Sequence, residues 1–203
     1  MLLTTVLGLL GCGLLCLALV AAVLRLPGRP IRVRYAVMLA AAVLVFVPLG
    51  DLSPAGYVRG LTGDLSIATL ALAANACFAA FLGRPFFERR DVDALLAAVV
   101  AAGLFLYPFA LGWTPFDPYA LGYGSIVFIT ALLVLSLAAW RARWTLVVLV
   151  VLLGALAFLV GLYESRNLWD YLVDPLVVLY ALFALPARLV RRYSSREASA
   201  RAQ

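Results

Sequence analysis

Histidine is absent from the chain, and so is lysine: all sixteen basic residues are arginine. Without imidazole there is no Ser-His-Asp triad, no histidine-ligated haem, no HExxH zinc site and no imidazole proton relay. Proton chemistry is left to carboxylates, tyrosines and groups tuned by arginine. Cysteine is scarce: Cys12, Cys16 and Cys77 all lie in apolar runs and show no CxxC spacing. They read as small hydrophobes in helices, so no metal or redox cofactor is expected on them. Phosphate-cradling glycine loops, nucleotide motifs and GxSxG nucleophiles are missing as well. Charge itself is rare, at 13% of residues against roughly 25% in a soluble domain.

What fills the chain instead is hydrocarbon. Of 203 residues 66% are hydrophobic, and the mean hydropathy is +1.08. A water-soluble core of this size does not need so much apolar surface, so lipid is the expected solvent. Seven apolar segments stand out, at about 2–24, 35–50, 65–83, 94–111, 125–140, 145–162 and 168–187. Strands of barrel type would alternate, and these do not; an open strand would leave backbone groups unpaired in lipid. The expected fold is therefore all-α: a polytopic transmembrane bundle of about seven spans, with residues 1–190 as one helical domain and 191–203 as a polar tail. "LLGC" at 9–12 faintly resembles a lipoprotein cleavage box, but no basic stretch precedes it and the apolar run continues past Cys12. Residues 2–24 are read as a retained span.

Arginine sets the orientation. Arg25, Arg29, Arg32 and Arg34 share one connection; Arg84, Arg89 and Arg90 the next even one; Arg141 and Arg143 the third; and the tail holds Arg188, Arg191, Arg192, Arg196 and Arg201. With seven spans these fourteen fall on one side, the cytoplasm, leaving Arg59 and Arg166 outside. The N-terminus is then outside and the C-terminus inside, in the inner membrane of a bacterium. The net charge of +6 thus reports membrane orientation, not nucleic acid. The inner connection "GRPFFERRDVD" reads as a solvated turn in which Glu88, Arg89 and Asp91 pair among themselves.

The outer connections carry the polar chemistry. They are "DLSPAGYVRGLTGD" (51–64), "GWTPFDPYALGYG" (112–124) and "YESRNLWDYLVDP" (163–175). Together they hold Asp51, Asp64, Asp117, Glu164, Asp170 and Asp174 against Arg59 and Arg166, amid Tyr57, Trp113, Phe116, Tyr119, Tyr123, Tyr163, Trp169 and Tyr171. Aromatics at this level also serve as an interfacial belt, and Pro115 and Pro118 mark turns. Asp64 is placed to cap the third apolar helix.

Asp174 precedes Pro175, the signature of a helix N-cap and first-turn proline. A last span starting there and ending at Arg188 is about 20 Å long, short of roughly 30 Å of hydrocarbon. Extending it back to about Leu168 restores the length and buries Asp174 about 9 Å below the outer edge. Asp170 then lies one turn above on the same face, with Asn167 and Tyr171 in helical spacing. On that expectation the charges line an outward-opening polar pocket, partly neutralised by Arg166 or Arg59; the alternative is a structural capping and ion-pair cluster. Candidate binding or proton-handling residues are Glu164, Arg166, Asn167, Asp170, Tyr171, Asp174, Arg59, Asp64, Asp117 and Tyr119. Two ionised acids four residues apart repel, so one of them is expected to hold its proton longer. A divalent cation on Asp170, Asp174 and Glu164 lacks any supporting spacing, and no metal is assigned.

Within the spans, Asn75 is expected to make an interhelical hydrogen bond, and Gly8, Cys12 and Cys16 to form a close-packing face on the first helix. Functionally the pattern fits best an accessory or binding component that handles an envelope lipid or glycan. The expected partners are the bilayer and a membrane protein or a second copy of the chain. Two other classes remain open: a small proton-linked transporter or channel, and a carboxylate-dependent intramembrane hydrolase or transferase. Transport is weakened by the lack of an internal repeat, and hydrolysis by the missing nucleophile.

Overall fold

The computed structural model describes residues 2–110 and 116–201, and all regular structure among them is helical. Helix α1 (Leu2–Val23) carries no charge and, past Thr4 and Thr5, is apolar. After it Arg25 turns left-handed, at φ 51°, and a short 3-10 turn over Leu26–Gly28 leads into α2 (Ile31–Phe46). Helix α3 (Pro54–Thr62) starts on Pro54, with Ser53 as cap: its hydroxyl accepts from Gly56 N at 3.2 Å. Helix α4 (Ile67–Leu82) is capped by Ser66 and stopped by Gly83 at φ 75°, a conformation that suits glycine. Helices α5 (Arg89–Ala110), α6 (Ile126–Arg141) and α7 (Thr145–Leu159) follow. The α6–α7 link is a tight reversal, with Arg143 at φ 58° and Trp144 N donating to Ala139 O at 2.8 Å. The short α8 (Leu168–Leu172) and the long α9 (Pro175–Arg201) complete the chain.

Two expectations about these elements are corrected. The outer stretch 51–64 was expected as a loop, and it folds α3. The last helix does not extend back to Leu168. It breaks at Val173, which is extended at φ −142° and ψ 137°, and starts afresh at Pro175. The reason is local: a proline disfavours helical geometry in the residue before it, and Asp174 makes a strong cap. The helix also does not end near Arg188: it runs on past the expected tail boundary to Arg201.

The largest core joins α5, α7, α8 and α9 through Leu96, Val99, Leu146, Val147, Tyr171 and Val178. A second, built of small residues, joins α1, α2 and α4 through Ala18, Ala21, Met38, Ala73, Cys77 and Ala80. The expected small face of α1 is present. Cys12 is fully buried in a third cluster with Val45, Ala55 and Leu65, while Gly8 lies directly against the Arg59–Asp64 pair. Close approach recurs between α5 and α9, where a Cβ on Gly103 would sit 2.5 Å from Val178 Cγ1. The exterior is as greasy as the interior: Leu39, Leu61, Ile126, Leu159 and Phe183 are between 69% and 88% exposed.

Among the described residues two helices, over Thr4–Val23 and Arg89–Phe109, are long and apolar enough to cross a membrane. The stretches Ile67–Leu82, Ile126–Arg141 and Thr145–Leu159 are apolar but shorter. At the arginine-rich end, Arg188 Nε donates to Asp93 Oδ1 at 2.5 Å and Arg192 Nη2 lies 2.6 Å from Asp93 Oδ2. This knot ties α5 to α9. The expected pairing among Glu88, Arg89 and Asp91 does not form among the described residues: Asp93, one turn into α5, is better aimed at α9. Asn75 Oδ1 accepts from Phe87 N at 2.9 Å, so it holds the connection before α5 and does not bridge two helices. Arg34, buried on α2, lays its guanidinium against Gly83, where the negative end of the α4 dipole faces it.

Candidate functional site

Asp174 lies where two helices begin. Its Oδ1 accepts from Val177 N at 2.9 Å, capping α9. Its Oδ2 accepts from Ser66 N at 2.9 Å, Ser66 Oγ at 2.7 Å and Thr69 Oγ1 at 2.5 Å, all at the start of α4. Ser66 Oγ also accepts from Thr69 N at 3.3 Å, the ordinary cap of α4. One buried carboxylate therefore closes the N-termini of α4 and α9 together, with both positive dipole ends converging on it. The four donors are neutral. Neither arginine expected to neutralise part of this region pairs with Asp174; Arg59 neutralises Asp64 instead. Arg59 Nε and Nη2 both sit 3.2 Å from Asp64 Oδ1, and Arg166 is exposed, with no ion pair among the described residues. Asp64 in turn pairs with Arg59 and does not cap α4; Ser66 has that role.

Asp170 belongs to a separate network, because the break at Val173 takes it off the α9 helix. Its Oδ2 accepts from Ser165 Oγ at 2.5 Å and from Tyr119 Oη at 2.9 Å, reaching across to the 112–124 loop. The two acids thus do not share a helical face, and the expected repulsive pair is absent. Asn167 continues the link: its Nδ2 donates to Tyr119 O at 2.9 Å, while Oδ1 accepts from Trp169 N at 2.9 Å and caps α8. Trp169 Nε1 donates to Pro118 O at 3.0 Å. Asp117 Oδ1 accepts from Tyr119 N at 2.9 Å in a side-chain turn that fixes the 3-10 segment Tyr119–Gly122. Gly122 packs so tightly under Asn167 and Trp169 that any Cβ would overlap the Asn167 amide.

The aromatic hydroxyls are equally committed. Tyr171 is fully buried; its hydroxyl meets Tyr163 N and O at 3.2 Å and donates to Ser165 O at 3.0 Å. Tyr163 stacks on it with ring centroids 4.7 Å apart and donates to Leu65 O at 2.6 Å. Burial raises the Tyr163 hydroxyl above the ordinary tyrosine pKa, and the nearby Asp64 charge adds to this. Burial and the bond to Asp170 raise Tyr119 in the same direction. Both phenols are held protonated, as donors.

No family model, curated protein or solved structure matches the chain. Chemistry must therefore be read from the residues. Of the ten candidates, Asp170, Asn167, Tyr119, Asp117 and Tyr171 are brought together around the 163–172 segment, and Asp174 lies in its own network at the starts of α4 and α9. Arg59 and Asp64 form a separate pair, and Glu164 and Arg166 stand exposed on the 163–172 segment. Trp113 and Pro115 lie outside the described residues. Among the described residues no group of three or more His, Cys, Asp or Glu side chains is placed to hold a metal ion. Asp174 accepts three bonds on Oδ2 and one on Oδ1 and is buried, whereas Asp170 accepts on Oδ2 and is half-buried. Ser66, Thr69 and Ser165 were not anticipated. The sequence signal for the first two was present: Ser66 directly precedes the apolar run of α4 and Thr69 stands one turn on, in its first turn.

Proposed function

We propose that this is a seven-pass protein of a bacterial inner membrane, with its N-terminus outside, acting as a binding or accessory component for an envelope lipid or glycan. Helices α1, α2, α4, α5, α6, α7 and α9 are the seven spans. The greasy exterior supports this, since exposed leucine and phenylalanine at such density need lipid around them. The helices of 15 or 16 residues cover about 24 Å and rely on local thinning and snorkelling arginines to match the bilayer. The nine-residue α3 lies at the outer surface.

One observation carries the choice of binding over chemistry. The carboxylate at the heart of the outer region is buried and accepts from four neutral donors at two helix starts, which favours a structural pin over a general base or a proton carrier. What remains for a ligand is the rim: Phe116, Asp117, Tyr123, Glu164 and Arg166, all exposed, together with Asp170 Oδ1. Rings, carboxylates and a lone guanidinium suit sugar hydroxyls and a charged head group.

The test is binding of a polyprenyl-phosphate-linked oligosaccharide to the full chain in nanodiscs, read by tryptophan fluorescence. Binding that is lost in Tyr123→Ala and Glu164→Gln but retained in Asp174→Asn supports the proposal. Proton-coupled solute flux in liposomes that depends on Asp174 overturns it in favour of transport.

A further inference from the structure

Resting on the membrane reading, we propose that the groove between α1, α4, α5 and α9 holds one anionic glycerophospholipid of the cytoplasmic leaflet. Its phosphate sits at Arg89 and Arg188, and an acyl chain lies along α1 and α4. The groove has a volume of about 560 Å³, within the range of roughly 300–1,000 Å³ usual for ligand sites. Most of its wall is hydrocarbon, including Leu15, Ala18, Leu72, Ala76 and Val177.

The polar groups are not scattered. Arg89 opens α5, lines the groove and makes no hydrogen bond or ion pair among the described residues. Arg188 also lines it and shares Asp93 with Arg192. Arg188 is thus paired with Asp93, and the charge left facing the mouth is that of Arg89, together with the positive end of the 22-residue α5. Glu88 and Asp91 are neighbours in sequence but do not line the groove. Asn75 lines it beside Phe87, and with Oδ1 taken by Phe87 N the amide Nδ2 is the donor it has left to offer. Cations at the mouth, an amide next and alkyl walls beyond reproduce the order of phosphate, ester carbonyl and acyl chain in a lipid. Charge complementarity selects an anionic head group and the wall selects an alkyl tail. By contrast the cavity of about 400 Å³ among α5, α6, α7 and α8, walled by such residues as Leu95, Phe105, Phe128 and Val150, offers no charged group to choose an occupant.

The experiment is native mass spectrometry of the detergent-purified full chain after incubation with equal amounts of phosphatidylglycerol and phosphatidylcholine bearing identical chains. Wild type retains the anionic lipid about five-fold over the zwitterionic one, the scale expected per surface arginine. In R89Q the preference collapses toward parity; in A76V both adducts weaken; R84Q, which alters an arginine outside the groove, keeps the preference. Equal retention of the two lipids by wild type, or an unchanged preference in R89Q, overturns the proposal. So does displacement of phosphatidylglycerol by millimolar inorganic phosphate, which marks a bare anion site. A thermal melt of R89Q separates misfolding from lost binding, and R89K, which keeps the charge, restores the preference if the phosphate contact is real. A chain that leaves cells without detergent sinks the membrane reading itself, whereas a detergent-requiring chain with no lipid preference sinks only this site.

Discussion

Replacing Asp174 by alanine removes the carboxylate on which α4 and α9 both start. Four donors lose their acceptor: two backbone N–H groups, of Ser66 and Val177, and two hydroxyls, of Ser66 and Thr69. The hydroxyls rotate and recover a partner, Thr69 Oγ1 already lying 3.3 Å from Ser66 Oγ. The N–H groups are fixed by the helices and stay buried. Each unsatisfied buried donor costs about 1–3 kcal/mol, taken as about 2 for each N–H. The expected loss is therefore about 4 kcal/mol, which for a chain of this size lowers Tm by about 8–16 °C. Asp174→Asn is milder. Its carbonyl keeps Val177 N, and its amide donates to the hydroxyls, which turn to accept; only Ser66 N meets a donor. That single conflict costs about 2 kcal/mol, or about 4–8 °C. Scanning fluorimetry of the detergent-purified chain gives the order wild type, Asn, Ala. A D174A protein melting within 2 °C of wild type refutes the pin. So does additivity of Ser66→Ala and Asp174→Ala, because residues sharing these bonds must couple.

Other consequences of the geometry are as direct. Gly122→Ala forces a methyl into the Asn167 amide, so it is expected to destabilise by about 2–3 kcal/mol and to erase the near-UV signal of Trp169; a wild-type spectrum in a folded variant contradicts the packing. Tyr119→Phe removes one bond to Asp170 at a half-buried site and lowers stability by about 1 kcal/mol, measured by the same melt. Arg166→Cys leaves Tm unchanged and is labelled in intact spheroplasts by a membrane-impermeant maleimide; labelling from the cytosolic side alone reverses the proposed orientation. Raising pH also acts predictably. Tyr119 and Tyr163 ionise above the ordinary tyrosine value of 10.0 in the folded state, so the folded protein holds their protons longer than the unfolded one. Their contribution is complete below that value and is lost as pH climbs through the folded values, and melts run from about pH 9 upward must fall.

Much of the architecture was readable because it depends on local composition. Apolar runs such as those of α1, α4 and α7 exceed what any loop or alternating strand carries, and the stacking of Gly8 and Cys12 follows from helical spacing alone. The break before α9 was readable too: Asp174–Pro175 is a helix start. Only 13 residues run from Pro175 up to Arg188, too few for about 30 Å of hydrocarbon, and so the helix was expected to extend back to Leu168, against the local signal that the structure follows. The Arg59–Asp64 pair eluded the sequence because α3 was taken for a loop.

By itself, then, the sequence determined that the chain is helical, where most helices lie, and which segments carry the acids and rings. Those properties come from hydrophobicity and backbone preference acting over a few turns. Only the tertiary structure decided what each acid does. Ser66 and Asp174 stand 108 positions apart, and Tyr119 and Asp170 stand 51 apart, yet each pair shares a hydrogen bond. A carboxylate at a helix start is a pin, a base or a ligand according to which donors converge on it. That convergence is fixed by how the helices pack, which no local stretch of chain encodes.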